Sequence, residues 1–203
     1  FINELGFEIY TKILDDAVRE LKEQEFSGLF EHEQPKRNYP ETQVEFDASA
    51  LLETDYVADN VERLNLYRKL AEAETMEQID AWQEELTDRF GQLPEAGMNL
   101  MTAAKIKLAA SRLYLTKVTI RAGRMWLSFP ANKSQRGEEF YQSGLFQKIL
   151  ERVTAISGEE FKLIQKKEAV RLVIQEIDGI GDALAFIQQI VETELVPSEE
   201  VTA

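Results

Sequence analysis

Near residue 116 the spacing of apolar residues changes from one period to another, and this change does most to restrict the fold. Through residues 94–114, Leu100, Ala103, Ala104, Ile106, Leu108, Ala109 and Leu113 supply the apolar and helix-favouring positions of one long helix. After that point Val118 and Ile120 alternate with Lys117, Thr119 and Arg121. Met125, Leu127 and Phe129 then alternate with Arg124, Trp126 and Ser128. A period of two places one face in a core and the other outward. Ala122-Gly123 between the two runs is a tight turn, so the segment reads as a β-hairpin.

The rest of the C-terminal half repeats this layout in predicted elements. Pro130 to Gly137 is a polar loop, and a helix follows within 138–156, carrying Phe140, Phe146, Ile149, Leu150 and Val153. Ser157-Gly158 ends it. Phe161–Gln165 and Ala169–Gln175 read as a second hairpin turning at Lys166-Lys167, and 180–195 as a helix with Leu184, Ile187, Ile190 and Val191 inward. The expected fold class is α+β: N-terminal helices, then two β-hairpin–helix units forming an antiparallel sheet with helices packed on it.

Residues 2–25 read as an amphipathic helix with a stripe of Leu5, Ile9, Tyr10, Ile13, Leu14, Ala17, Val18 and Leu21, which needs a covering surface. Residues 26–43, with Pro35 and Pro40, read as a connector, and Val44–Asp47 as a short strand. The expected division is a helical segment over 1–27, a linker over 28–43, a domain over 44–197 and a frayed tail over 198–203. The chain opens at Phe1 inside helical pattern, and the expectation is a fragment of a longer protein. Asp59 begins the next helix, with Leu64, Tyr67, Leu70 and Ala71 on its inner side.

The helix after it is the best marked. Thr75-Met76-Glu77-Gln78 reads as a capping box, Gly91 as its end, and Pro94 as the first residue of its successor. Ile79, Trp82, Leu86 and Phe90 share the inward face. Glu85, Asp88 and Arg89 stand at i, i+3 and i+4 and cluster on a second face roughly 110° away at about 100° per residue. The plainer reading of these charges is an intrahelical Glu85–Arg89 pair. The sharper one is a recognition patch that offers carboxylates to a basic partner, with Arg89 setting the register.

Composition excludes several chemistries. There is no cysteine and a single histidine, His32, so disulfides, thiolate metal sites and an HExxH motif are absent. No run of about 18 apolar residues exists, so no membrane-spanning helix is expected. There is no G-x-x-x-x-G-K-[ST] loop, hence no P-loop phosphate cradle. No catalytic residue, metal or cofactor is expected in this chain. The Gly179-Ile180-Gly181 stretch could offer backbone N–H groups to an anion, but Asp178 and Asp182 flank it. A strand-to-helix turn that needs glycine dihedrals is the simpler account.

The net charge is −14, unevenly spread. Residues 1–104 hold 9 Lys/Arg and 24 Asp/Glu; 105–136 hold 8 Lys/Arg and no acid; 137–203 hold 6 and 13. The acidic bulk disfavours a whole-surface nucleic-acid binder, whereas the basic middle keeps a local contact open through Lys117, Arg121, Arg124 and Trp126 of the hairpin. Outward polar residues are also what any half-exposed hairpin shows, and docking on an acidic protein face is an equal alternative.

Three blocks, in order, resemble bacterial transcription-repair coupling factors (Mfd): Gly6-Phe7-Glu8-Ile9-Tyr10 with Leu14 and Ala17-Val18; Arg63 to Leu70; and Glu85-Leu86-Thr87-Asp88-Arg89-Phe90-Gly91 followed by Leu93-Pro94. The first is similar to the end of that family's translocase module and the others to its C-terminal domain. Together the resemblance runs from residue 1 to about 197.

It implies a cytoplasmic, non-catalytic domain of an ATP-dependent DNA translocase whose ATP and magnesium sites lie in upstream motor modules. It further implies that the domain packs on the protein's own N-terminal UvrB-like module and masks the surface that recruits UvrA. RNA polymerase and DNA are implied as partners of the full-length protein. Glu85, Asp88 and Arg89 occupy the family's intramolecular contact, while Thr87 departs from the apolar residue that relatives often carry there.

Overall fold

The computed structural model describes residues 42–157, 161–166 and 169–191. The helix expected over 2–25, the connector up to residue 41, His32 and the tail from 192 lie outside the described residues. The chain divides into two compact units, which among the described residues comprise 48–104 and 42–47 with 105–191.

The first unit is helical. Helix α1 spans Asn60–Ala71, α2 Met76–Phe90 and α3 Glu95–Arg112, the last contributing residues to both units. Asp59 caps α1, its side chain accepting from the Glu62 N–H. Thr75 and Gln78 form the expected capping box of α2. Two orphan donors are satisfied in this way before any tertiary contact forms. Gly91 ends α2 at φ 88°, a backbone state that favours glycine. Pro94 precedes α3 by one residue instead of opening it, and its carbonyl accepts the first helical bond from Met98.

Leu66, Tyr67 and Leu70 of α1 are buried, as are Ile79, Trp82 and Leu86 of α2. The inward face of α1 is therefore turned slightly from the expected one: Leu64 is half-buried and Ala71 exposed, while Leu66 and Arg63 are interior. Arg63 is tolerated there because its guanidinium donates to the Val57 carbonyl at 2.6 Å and to Asn60 Oδ1. Phe90, expected inward, is half-buried.

The second unit is a five-stranded sheet with three helices. Strands β1 (Gln43–Phe46), β2 (Lys117–Arg121), β3 (Arg124–Ser128), β4 (Phe161–Lys166) and β5 (Ala169–Gln175) lie in the order β1-β2-β3-β5-β4. Both hairpins form, and β3 pairs with β5 to join them. The turn at Ala122 (φ 48°) and Gly123 (φ 69°) has both residues at positive φ, the twist that suits a two-residue hairpin. The short strand over 43–46 adds to β2 in parallel, so the sheet is mixed instead of wholly antiparallel. Thr42, fully buried, anchors this strand by donating to the Leu115 carbonyl at 2.6 Å.

Val118, Ile120, Met125, Leu127, Leu172 and Ile174 point to one face and are buried with Ile149, Val153, Ala183, Ile187 and Ile190 of the helices. The region read as one helix within 138–156 is two: α4 (Gln135–Gln142) and α5 (Leu145–Ser157), separated at Gly144 with φ 76°. Helix α4 also starts inside the expected polar loop, because Ser134 caps it by accepting from the Gly137 N–H. The bend brings Phe146 edge-on to Phe129 and Tyr141, with ring centroids 5.1 Å apart in each pair. Helix α6 spans Ile180–Val191 and buries Ala183, Phe186, Ile187 and Ile190; Leu184 and Val191 are half-buried. The turn before α6 places its positive φ at Glu176 (57°), and neither Gly179 nor Gly181 has one. The glycine-dihedral account of that turn therefore fails.

Candidate functional site

Helix α2 presents Glu85, Asp88 and Arg89 on one side, as their spacing requires. Arg89 Nη1 lies 3.4 Å from Glu85 Oε1, the expected i,i+4 pair. The structure adds two partners from α1. Glu62 forms an ion pair with the other Arg89 nitrogen, and Lys69 forms one with Glu85. The four residues make a chain, Glu62–Arg89–Glu85–Lys69, that ties α1 to α2. The Arg89 guanidinium also lies 4.8 Å from the centroid of the Phe90 ring.

Each of these charged side chains is more than a third exposed, so any single pair stabilises the fold by roughly 0.2–1 kcal/mol at most. What the chain of pairs does is fix direction. Arg89 is held by two carboxylates and a ring. The Glu85 carboxyl is held below its ordinary pKa chiefly by the Lys69 hydrogen bond; desolvation opposes this, and the Lys69 charge and then Arg89 add smaller lowering effects. Asp88 is exposed and enters none of the ion pairs among the described residues.

Beside these charges lies an open groove of about 440 Å³ lined by Val61, Leu66, Asn65 and Asp59 together with the four paired residues. Val61 is 67% exposed on its rim. Tyr56 braces the end of α2: its hydroxyl, donating into the helix terminus, is 2.8 Å from the Gly91 carbonyl and 3.0 Å from that of Leu86. Its ring stands 5.8 Å from Phe90. Glu62, Lys69 and Tyr56 were not singled out in the sequence. Helical spacing reports neighbours on one helix and is silent about a facing one.

The basic hairpin is placed as its alternation requires. Arg121 and Arg124 are exposed, and Lys117, Thr119 and Trp126 are half-buried. Lys117 is paired with Glu45 of β1 at 2.6 Å. Arg124 donates to the Gln175 side chain at 3.0 Å, and Arg121 lies 5.7 Å from the Trp126 ring centroid. Among the described residues no group of three or more His, Cys, Asp or Glu side chains could hold a metal ion. No helix among them is long and apolar enough to cross a membrane.

Comparison with known proteins bears on the domain as a whole. Residues 46–140 match the model of the TRCF domain. A transcription-repair-coupling factor of Staphylococcus aureus (strain USA300) is 28% identical over 202 residues, which is 98% of this chain and 16% of that protein. The Haemophilus influenzae protein of the same name is 33% identical over 141 residues, 70% of this chain and 12% of that protein. This chain thus spans only a small part of the relatives it matches. A crystal structure of the C-terminal domain of a transcription-repair coupling factor superposes with a TM-score of 0.63 at 17% identity, covering 77% of this chain and 92% of that one, a likeness of fold. The charged face of α2 therefore lies inside the matched region, and this chain carries a TRCF domain, the C-terminal domain of transcription-repair coupling factors.

Proposed function

We propose that this chain is a regulatory interaction domain of a DNA-repair translocase acting in transcription-coupled repair in the cytoplasm, itself without catalytic activity. In this reading Glu85, Asp88 and Arg89 dock on the N-terminal UvrB-like module of the same protein. The contact masks the surface that recruits UvrA until engagement with stalled RNA polymerase releases it. ATP hydrolysis and DNA translocation belong to motor modules outside this chain.

The observation that carries the reading is the directed charge patch on α2. Arg89 and Glu85 are pre-oriented by Glu62 and Lys69, and the adjacent Asp88 is exposed outside that network. A pre-oriented patch loses less side-chain entropy on binding than free side chains would. The exposed Val61 beside it adds apolar area. A contact that must open should be polar and modest, in the range of about 600–1,500 Å². A coupling of about 1–3 kcal/mol would change UvrA access about 5–150-fold.

The test is calorimetric titration of this chain with the separately expressed N-terminal module, in parallel with UvrA binding by the full-length protein. Asp88→Ala/Arg89→Ala is expected to weaken the first by about 2 kcal/mol or more, as for severed interfacial charges, and to strengthen the second. Unchanged affinity in both assays, with wild-type binding present, moves the contact to another face.

A further inference from the structure

The register of the sheet brings together cations that the sequence keeps apart. Residues paired across strands share a face. Arg171 is opposite Ser128, which is opposite Lys117. Lys162 is opposite Val173, Val173 opposite Trp126, and Trp126 opposite Thr119. Arg121 is opposite Arg124. All these positions lie on the side of the sheet turned away from the Val118, Met125, Leu127 and Leu172 core. Lys117, Arg121, Arg124, Lys162 and Arg171 thus occupy one face, with Trp126 among them.

The five strands contain a single acidic residue, Glu45, which is spent on Lys117. Arg121, Arg124, Lys162 and Arg171 are exposed, and none enters an ion pair among the described residues. Such a face is conspicuous in a chain of net charge −14. Val173 in its middle is buried between Trp126 and Lys162 in the register, while Ile164 toward the β4 edge is 37% exposed.

We infer that this sheet face is a docking platform for single-stranded nucleic acid. The occupant follows from charge complementarity combined with the shape of the groups. Arg124 and the Ser128–Arg171 pair stand four residues apart along β3, so cations flank Trp126 at both ends of a strip about 13 Å long. Guanidinium groups fork onto phosphate oxygens and stack on flat rings. An indole ring between phosphate-binding cations accepts a base by stacking, with little regard to sequence. An acidic peptide would use the charges but leave the indole without a role. The Arg121 guanidinium already over Trp126 shows the ring is reachable by a planar group.

The experiment is fluorescence anisotropy of a labelled 12-nucleotide oligo(dT) titrated with this 203-residue chain, together with its tryptophan emission. Contact with about three phosphates gives a log–log salt slope near −2, or about twentyfold weaker binding on going from 50 to 200 mM salt. Arg124→Glu/Arg171→Glu, both at exposed positions, is expected to weaken binding at least tenfold while circular dichroism stays unchanged. Emission should be quenched on binding, and Trp126→Phe should remove the quench, because the only other tryptophan, Trp82, is buried in the first unit. No binding at 50 mM salt overturns the inference. So does unaltered binding by the charge-reversed variant. Equal competition by poly-L-glutamate without any quench also overturns it and makes the face an acidic-protein dock.

Discussion

Gly137→Ala should destabilise the protein even though it replaces glycine in a helix. Gly137 is the third residue of α4, where alanine would ordinarily stabilise by about 1 kcal/mol. A Cβ built there meets the Ala131 carbonyl oxygen at 1.9 Å and its carbon at 2.8 Å. Both are backbone atoms, so no rotamer change relieves the clash. The Ala131 carbonyl accepts from Ser134 N at 3.0 Å and from Ser134 Oγ at 2.7 Å, and Ser134 is also the N-cap of α4. Opening the 131–134 turn to admit the methyl group forfeits two hydrogen bonds at about 1 kcal/mol each and a cap worth about another 1. Set against the helix-propensity gain, the net loss is about 2 kcal/mol. For a protein of this length that corresponds to a fall in Tm of about 4–8 °C. Thermal and urea unfolding followed by circular dichroism measure both quantities. An unchanged or raised Tm would refute the reasoning, and with it the tight approach of α4 to the preceding turn.

Tyr67→Phe should cost about 1–3 kcal/mol in urea unfolding, because the Tyr67 hydroxyl accepts from the buried Leu52 N–H at 2.7 Å and no water can replace it without entering the core. Wild-type stability in that variant would mean Leu52 finds another acceptor. The Glu85 carboxyl has a folded-state pKa below its ordinary value. Its contribution is therefore fully present above the ordinary carboxylate range and is lost as pH falls through the lowered value. Solvent exposure keeps that contribution small. Lys69→Met should return the Glu85 titration toward the ordinary range in carboxyl-detected NMR, and an unmoved titration would show that the pair does not persist in solution.

Most of the second unit was legible in the sequence because each signal was local. Alternation placed β2 and β3, Ala122-Gly123 supplied the turn between them, and the second hairpin followed the same rule. The capping box at Thr75 and the stop at Gly91 were legible for the same reason. The misses arose where a distant residue or a single dihedral decides. One helix was expected over 138–156, carrying Phe140, Phe146 and Val153, yet Gly144 at positive φ divides it. The face of α1 was misplaced because Arg63 looks like a surface residue until the Val57 carbonyl is placed beside it. Of the α2 charges, spacing revealed the Glu85–Arg89 pair but gave no sign of Glu62 and Lys69, which lie on a different helix. The cationic sheet face was half visible as a basic hairpin, and Lys162 and Arg171 joined it only through the pairing of β3 with β5.

The parallel pairing of β1 with β2 has a consequence for synthesis. Gln43 pairs with Lys117, a partner 117 − 43 = 74 positions later in the chain. At about 5–20 residues per second on the ribosome, β1 waits roughly 4–15 s for the strand that completes it. The helices of 60–112 have only near-neighbour bonds to form and can be in place before then. During the wait β1 is a bare edge, but it is four residues long and carries Glu45 in the middle, which makes it a poor template for a stranger's strand. The acid that later meets Lys117 thus serves first as a guard during translation.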